Sequence, residues 1–152
     1  MRQTNLCNIW KIIRMKVIGL DFGSKRTGIA ITDELRMIAS PLETVDTSEI
    51  LNYLEKLFLR EKVEVIVLGE AKYLNGQSSE TTVLQQKFAD KLGKKFPEKK
   101  IVRVNEMFTS SLAEYALREG GFKKSERSQK GNVDKVSAAL ILRSYLESPG
   151  NK

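Results

Sequence analysis

Four acidic residues sit where a folded chain could use them together. Asp21 closes an apolar run, "VIGLD". Glu70 closes "VEVIVLGE", Glu106 closes "KIVRVNE", and Asp134 opens the last apolar segment, "NVDKVSAALILRSYL". Carboxylates gathered in one place repel and raise one another's pKa. A divalent cation removes that conflict. With no histidine in the chain and Cys7 its only cysteine, the ligands would be oxygens, which suits Mg²⁺ or Mn²⁺. Two such ions, about 4 Å apart, are the usual device for activating water against a phosphodiester.

The same composition excludes other chemistry. Ser-His-Asp and Cys-His catalysis need histidine, and a CxxC zinc or redox site needs a second cysteine. Each acid also has a plainer role open to it. Asp21 could close its own turn on backbone N–H groups. Asp134 could be a first-turn carboxylate favoured by the helix dipole. Glu106 could pair with a nearby lysine, and Glu70 with Lys72 on the surface.

Behind Asp21 lies a tight basic turn, Gly23-Ser24-Lys25-Arg26. Lys25 and Arg26 are placed to hold a phosphate, and Gly23 lets backbone approach it closely. A second basic stretch, "FKKSERSQKG", carries Lys123, Lys124, Arg127 and Lys130, which could follow a nucleic-acid backbone. Lys91, Lys94, Lys95, Lys99 and Lys100 form a further cluster, read here as serving solubility. The net charge of +7 is compatible with a polyanionic partner or with solubility alone.

The elements that must position these residues follow from the pattern. At 152 residues and 41% hydrophobic, the chain suits one domain with its own core. Residues 15–21 and 27–32 read as a hairpin. Residues 36–45 suit a third strand, with Pro41 fitting an edge. Ile50, Leu51, Leu54, Leu57 and Phe58 mark an amphipathic helix that Asp46 or Thr47 could cap. A buried parallel strand spans 63–70.

After a turn at 75–80, Leu84, Phe88, Leu92 and Phe96 mark a helix that ends at Pro97. A strand spans 100–106. "TSSLAEYALREGG" reads as another helix. The last helix is apolar over most of its circumference, so the domain should cover it well. The order β-β-β-α-β-α-β-α-α argues an α/β fold. It is a mixed sheet with an antiparallel hairpin start, parallel βαβ units and helices on both faces. Strands 1, 4 and 5 then end on one sheet edge, where ligands of open α/β sheets bind.

Residues 1–14 are expected to be an extension or a start-site artefact, 15–147 a single domain, and 148–152 a tail. No apolar run approaches the ~20 residues of a bilayer span, and Lys11 and Arg14 break the only leader-like stretch. A cytoplasmic protein without a membrane partner is expected.

"DFGSKRTGIA" (21–30), "NEMFTS" (105–110) and "KGNVDKVSAALIL" (130–142) resemble the three motifs of the YqgF family. The resemblance covers residues 15–147. It implies an RNase H-like five-stranded fold. The family is described as Holliday junction resolvases and as nucleases that mature the 5′ end of pre-16S rRNA. Its metal-binding, catalytic acids would fall on Asp21, Glu106 and Asp134, and its basic turn on Lys25 and Arg26.

The sequence departs from the family pattern in two places. Asn105 and Met107 flank Glu106 where the family has an aspartate and an arginine. Gly69-Glu70-Ala71 replaces a Gly-x-Pro, so Glu70 is either an isolated substitution or a compensating acid. The implied activity is metal-dependent cleavage of structured nucleic acid, foremost pre-rRNA in ribosome biogenesis, by a monomer or weak homodimer. A Holliday junction resolvase is the alternative, for which a twofold dimer would suit two cuts.

Two rivals stand beside it. Asp-x-Gly between hairpin strands also resembles the phosphate loop of sugar kinases, actin and the Hsp70 ATPase, but those need two such domains. A non-catalytic nucleic-acid or partner-binding module is the other, supported by Met107.

Overall fold

A computed structural model describes residues 15–70, 80–105 and 130–148. Alternating β-branched residues form β1 (Lys16–Phe22), β2 (Arg26–Thr32) and β3 (Ala39–Asp46). A 3₁₀ turn, Thr47–Glu49, leads into α1 (Ile50–Arg60), followed by β4 (Val63–Glu70). Then come α2 (Glu80–Lys95), β5 (Lys100–Asn105) and α3 (Lys130–Glu147). The helix expected over "TSSLAEYALREGG", Glu106, the basic stretch after it and the termini lie outside the described residues.

The sheet order is β3-β2-β1-β4-β5. β1–β2 and β2–β3 are antiparallel, whereas β1–β4 and β4–β5 are parallel. This is the mixed five-stranded sheet expected from the sequence. β3 is an edge strand and carries Pro41 where a missing N–H is tolerated.

Period-two alternation divides the core between the two sheet faces. Ile18, Leu20, Phe22, Ile29, Ile66 and Leu68 face α1 and α2, meeting Leu54, Leu57, Phe88 and Leu92. Phe22 stacks on Phe88 at 4.4 Å, and Phe58 meets Phe96 edge-on at 4.9 Å. Val17, Ala30, Val65 and Val67 face α3, meeting Ala138, Ile141, Leu142 and Tyr145. The coverage expected of this apolar helix is present, since it packs across β1, β2 and β3.

Two local expectations are corrected. Neither Asp46 nor Thr47 caps a helix through its side chain, because the 3₁₀ turn intervenes and Glu49 precedes α1. α3 begins at Lys130, before the expected Asn132, so its first turn contains no acid. Asp134 therefore lies beyond the position from which a carboxylate best meets the helix dipole.

Candidate active site

β1 carries Asp21 one residue before its end, so Asp21 does not terminate the strand as the sequence suggested. Its register partner on β2 is Gly28. The alternation that turns Val17 and Gly19 toward α3 turns Asp21 the same way.

Gly28 is where the helix touches the sheet. A Cβ on Gly28 would lie 2.0 Å from the carbonyl oxygen of Asp134 and 2.7 Å from the amide nitrogen of Lys135. Only a residue without a side chain permits that approach. Gly19 repeats the device farther along the helix, where a Cβ would be 2.8 Å from both Ala138 O and Leu142 Cβ. Two glycines thus seat α3 directly on the hairpin. One of them stands opposite Asp21 and under Asp134, so two of the three acids singled out by sequence flank the same backbone contact.

Arg26 shares the α3 side of β2. Its Nε donates to Oδ2 of Asp134 at 3.2 Å. A cation therefore already sits on one of the candidate ligands. With these side chains 40% and 26% exposed, the pair belongs to the class that adds little stability, about 0–1 kcal/mol. Its interest is local charge balance.

The basic turn is fixed in place. Gly23 N donates to Arg26 O at 2.9 Å, closing it. A Cβ on Gly23 would lie 2.5 Å from that same oxygen. Thr47 then straps the turn from the far side. Its amide donates to Lys25 O at 2.9 Å and its hydroxyl to Gly23 O at 2.6 Å. That hydroxyl has one proton, already given to Gly23, so Thr27 Oγ1 donates to Thr47 Oγ1 across 2.9 Å. Lys25 remains exposed at the tip.

The other positions divide. β5 is described as far as Asn105, which pairs with Glu70 at the end of β4. Val102 and Val104 pack on the α3 side of β5. Glu106, Lys123, Lys124 and Arg127 lie outside the described residues, and of Lys130 only its place in α3 is described. Among the described residues no group of three metal-ligating side chains is assembled. The pair Asp21 and Asp134 offers oxygen donors only, which fits Mg²⁺ or Mn²⁺ if a third acid joins them.

The lysine cluster of α2 also divides. Lys95 pairs with Glu55 at 3.2 Å. Lys99 lies 4.9 Å from the Phe58 ring centre and donates to Val63 O at 2.5 Å. These two hold the fold, whereas Lys91 does neither.

Gly28 and Thr47 were not singled out as functional from sequence. Gly28 lay within a quoted motif, and its signal was a glycine inside a strand, which marks a close backbone approach.

A family model described as "RuvX: Holliday junction resolvase" matches residues 15–148. The chain belongs to this family. It is the family reached above from three motifs under the name YqgF. A relative from Christiangramia forsetii, named "Putative pre-16S rRNA nuclease", is 46% identical over 131 residues, covering 86% of this chain and 97% of the relative. Relatives of the same name from Flavobacterium johnsoniae and Phocaeicola vulgatus are 41% and 44% identical, each covering 88% of this chain and 96% of the relative.

Among solved structures, Thermus thermophilus RuvC in complex with a Holliday junction substrate superposes with a TM-score of 0.56 at 16% identity. The match covers 88% of this chain and 97% of that one. That likeness establishes the RNase H-like fold of the RuvX-family chain. Among the described residues no helix is long and apolar enough to cross a membrane.

Proposed function

We propose that the protein is a divalent-metal-dependent nuclease that hydrolyses phosphodiester bonds in structured nucleic acid, with the 5′ region of pre-16S rRNA as its substrate. The observation that carries this reading is the seat of α3 on Gly28, opposite Asp21 and beneath Asp134. Membership of the RuvX family and the names of the relatives support it. Glu106 is proposed as the third acid. It follows a strand whose Val102 and Val104 face α3, the side to which Asp21 turns.

In this reading Asp21, Glu106 and Asp134 hold Mg²⁺ or Mn²⁺, which supplies water activation and stabilises charge on the leaving oxygen. Asp21 approaches from the central strand and Asp134 from the helix, so their relative position depends on the glycine seat. Arg26 balances Asp134 before the ion arrives and then becomes available for a phosphate. Lys25, at the tip of the strapped turn, contacts the next phosphate without costly rearrangement. Lys123, Lys124, Arg127 and Lys130 follow the backbone farther out.

A second reading, cleavage of four-way DNA junctions, is favoured by the description of the matching family. Both substrates use the same chemistry, and no residue at the site reads bases. A cleavage assay in Mg²⁺ and in Mn²⁺ on pre-16S rRNA, single-stranded RNA and four-way junctions separates them. Cleavage by wild type should fall more than about 100-fold in Asp21→Asn and in Asp134→Asn, since loss of a supporting residue alone costs 10–100-fold. Undiminished cleavage in both variants removes the proposed site.

A further inference from the structure

On the sheet face opposite α3, a groove of about 390 Å³ opens beside the basic turn. Its apolar wall is made by Phe22, Leu51, Leu84 and Phe88. Leu84 is 42% exposed, more than packing against the core requires. Ser24 and Ser48 supply hydroxyls, and Lys87 and Lys91, one helical turn apart on α2, supply charge. No acid lines it. Neither lysine has an ion-pair partner among the described residues, in contrast to Lys95. The nearest acid on α2, Asp90, accepts a hydrogen bond from Gln86.

The groove and the candidate active site share one wall. Phe22 lines the groove and its neighbour Asp21 faces α3, on opposite faces of one strand. Ser24 and Thr47 also line the groove, and Thr47 is the residue that straps the turn. A polyanion crossing Lys25 is thereby led from one face toward the other.

We propose that this groove binds one unpaired nucleotide of a single-stranded segment, its base on the apolar wall and its phosphate between Lys87 and Lys91. Charge complementarity selects an anion. The apolar wall requires that the anion carry a flat apolar body, as a nucleotide does. The volume lies within the range of small-molecule pockets, about 300–1,000 Å³. A duplex presents phosphates outward and keeps its bases stacked within, so it would leave the wall bare. Identifying this nucleotide with the substrate strand rests on the nuclease reading, but the affinity of the groove does not.

The test is fluorescence anisotropy with the full chain in chelator, so that nothing is cleaved. The probes are a short single-stranded RNA, the same sequence as DNA, an abasic strand of equal length, and an RNA duplex. Lys87→Glu/Lys91→Glu should weaken single-strand binding by about tenfold or more. It should also flatten the salt dependence by roughly 1.4, or 0.7 per lost phosphate contact. Duplex binding should change much less. Lys56→Glu/Lys62→Glu makes the same charge change outside the groove and should spare the single-strand preference. Leu84→Ser should weaken the RNA and DNA strands but not the abasic one, with an unchanged salt slope.

Equal losses on duplex and single strand, no effect of Leu84→Ser, or no single-strand binding by wild type would each overturn the proposal. So would a self-association of wild type, seen by sedimentation, that Leu84→Ser abolishes, since a second copy would then fill the groove. Cleavage that persists while groove variants bind normally sinks the groove alone. Groove-dependent binding without cleavage sinks the nuclease alone.

Discussion

The two faces of the sheet are built on opposite plans. Toward α1 and α2 the sheet presents Ile18, Leu20, Phe22 and Ile29, and the helices answer with leucines and two pairs of phenylalanines. Toward α3 it presents Gly19, Gly28 and Ala30, and the helix answers with Ala138 and Ala139 as well as larger residues. The first face separates its layers with bulk and derives its stability from buried area. The second brings the layers together until helix backbone meets strand backbone. The thin face is the one that carries Asp21, Arg26 and Asp134. Close packing there holds acids from distant parts of the chain in a fixed relation, at the cost of apolar burial.

The comparison can be broken most strongly on the thick face. Leu54 is fully buried against both α2 and the sheet. Leu54→Ala should lower stability by about 2–5 kcal/mol in urea unfolding. Its remaining folded molecules should cleave at the wild-type rate, because nothing in the site moves. Gly28→Ala on the thin face should cost less stability, about 1–3 kcal/mol. Its cleavage should nevertheless drop more than about tenfold, because a sub-ångström to 1 Å displacement of Asp134 is enough. Gly19→Ala serves as the control. It strains the same helix farther from Asp134, and so should lose comparable stability with more of its activity kept. Equal activity in the two glycine variants would refute the idea that the thin face exists to place Asp134.

The thick face was the more legible of the two in the sequence. Leucines and phenylalanines at helical spacing announce an amphipathic helix directly, and α1 and α2 lie where that spacing put them. The β-branched runs likewise gave the strands and their mixed order. The thin face is encoded by what is missing. Gly28 has no side chain to form a pattern, and its meaning depends on which backbone lies above it, which is fixed by contacts more than 100 residues apart in sequence. Asp21 and Asp134 were legible as chemistry, but their shared contact through Gly28 was not. Thr47 was misread for a related reason. A threonine before a helix suggests a cap, whereas its hydroxyl is committed to a turn 24 residues upstream.

That strap gives a smaller perturbation joining the two faces. Thr47→Val keeps the shape and removes both hydroxyl hydrogen bonds, leaving Gly23 O and Thr27 Oγ1 to find other partners. About 1 kcal/mol of stability should be lost. If the turn is the shared wall of both sites, cleavage and single-strand affinity should decline together in this variant. A loss confined to one of them would separate the faces.

The smallest effect should come from the thin face itself. Ser137 is fully buried on α3, and its hydroxyl has no hydrogen-bond partner. A buried, unsatisfied hydroxyl is destabilising. Ser137→Ala removes that oxygen, adds no volume beneath the helix, and substitutes the best helix former. Stability should rise by up to about 1 kcal/mol, read as a higher urea midpoint with an unchanged slope. Cleavage should stay at the wild-type level, because the backbone that carries Asp134 keeps its seat on Gly28. A rise in stability with cleavage lost would mean that the Ser137 hydroxyl serves the site. The division of labour drawn here, with glycines placing the acids and the rest of α3 only covering the sheet, would then have to include it.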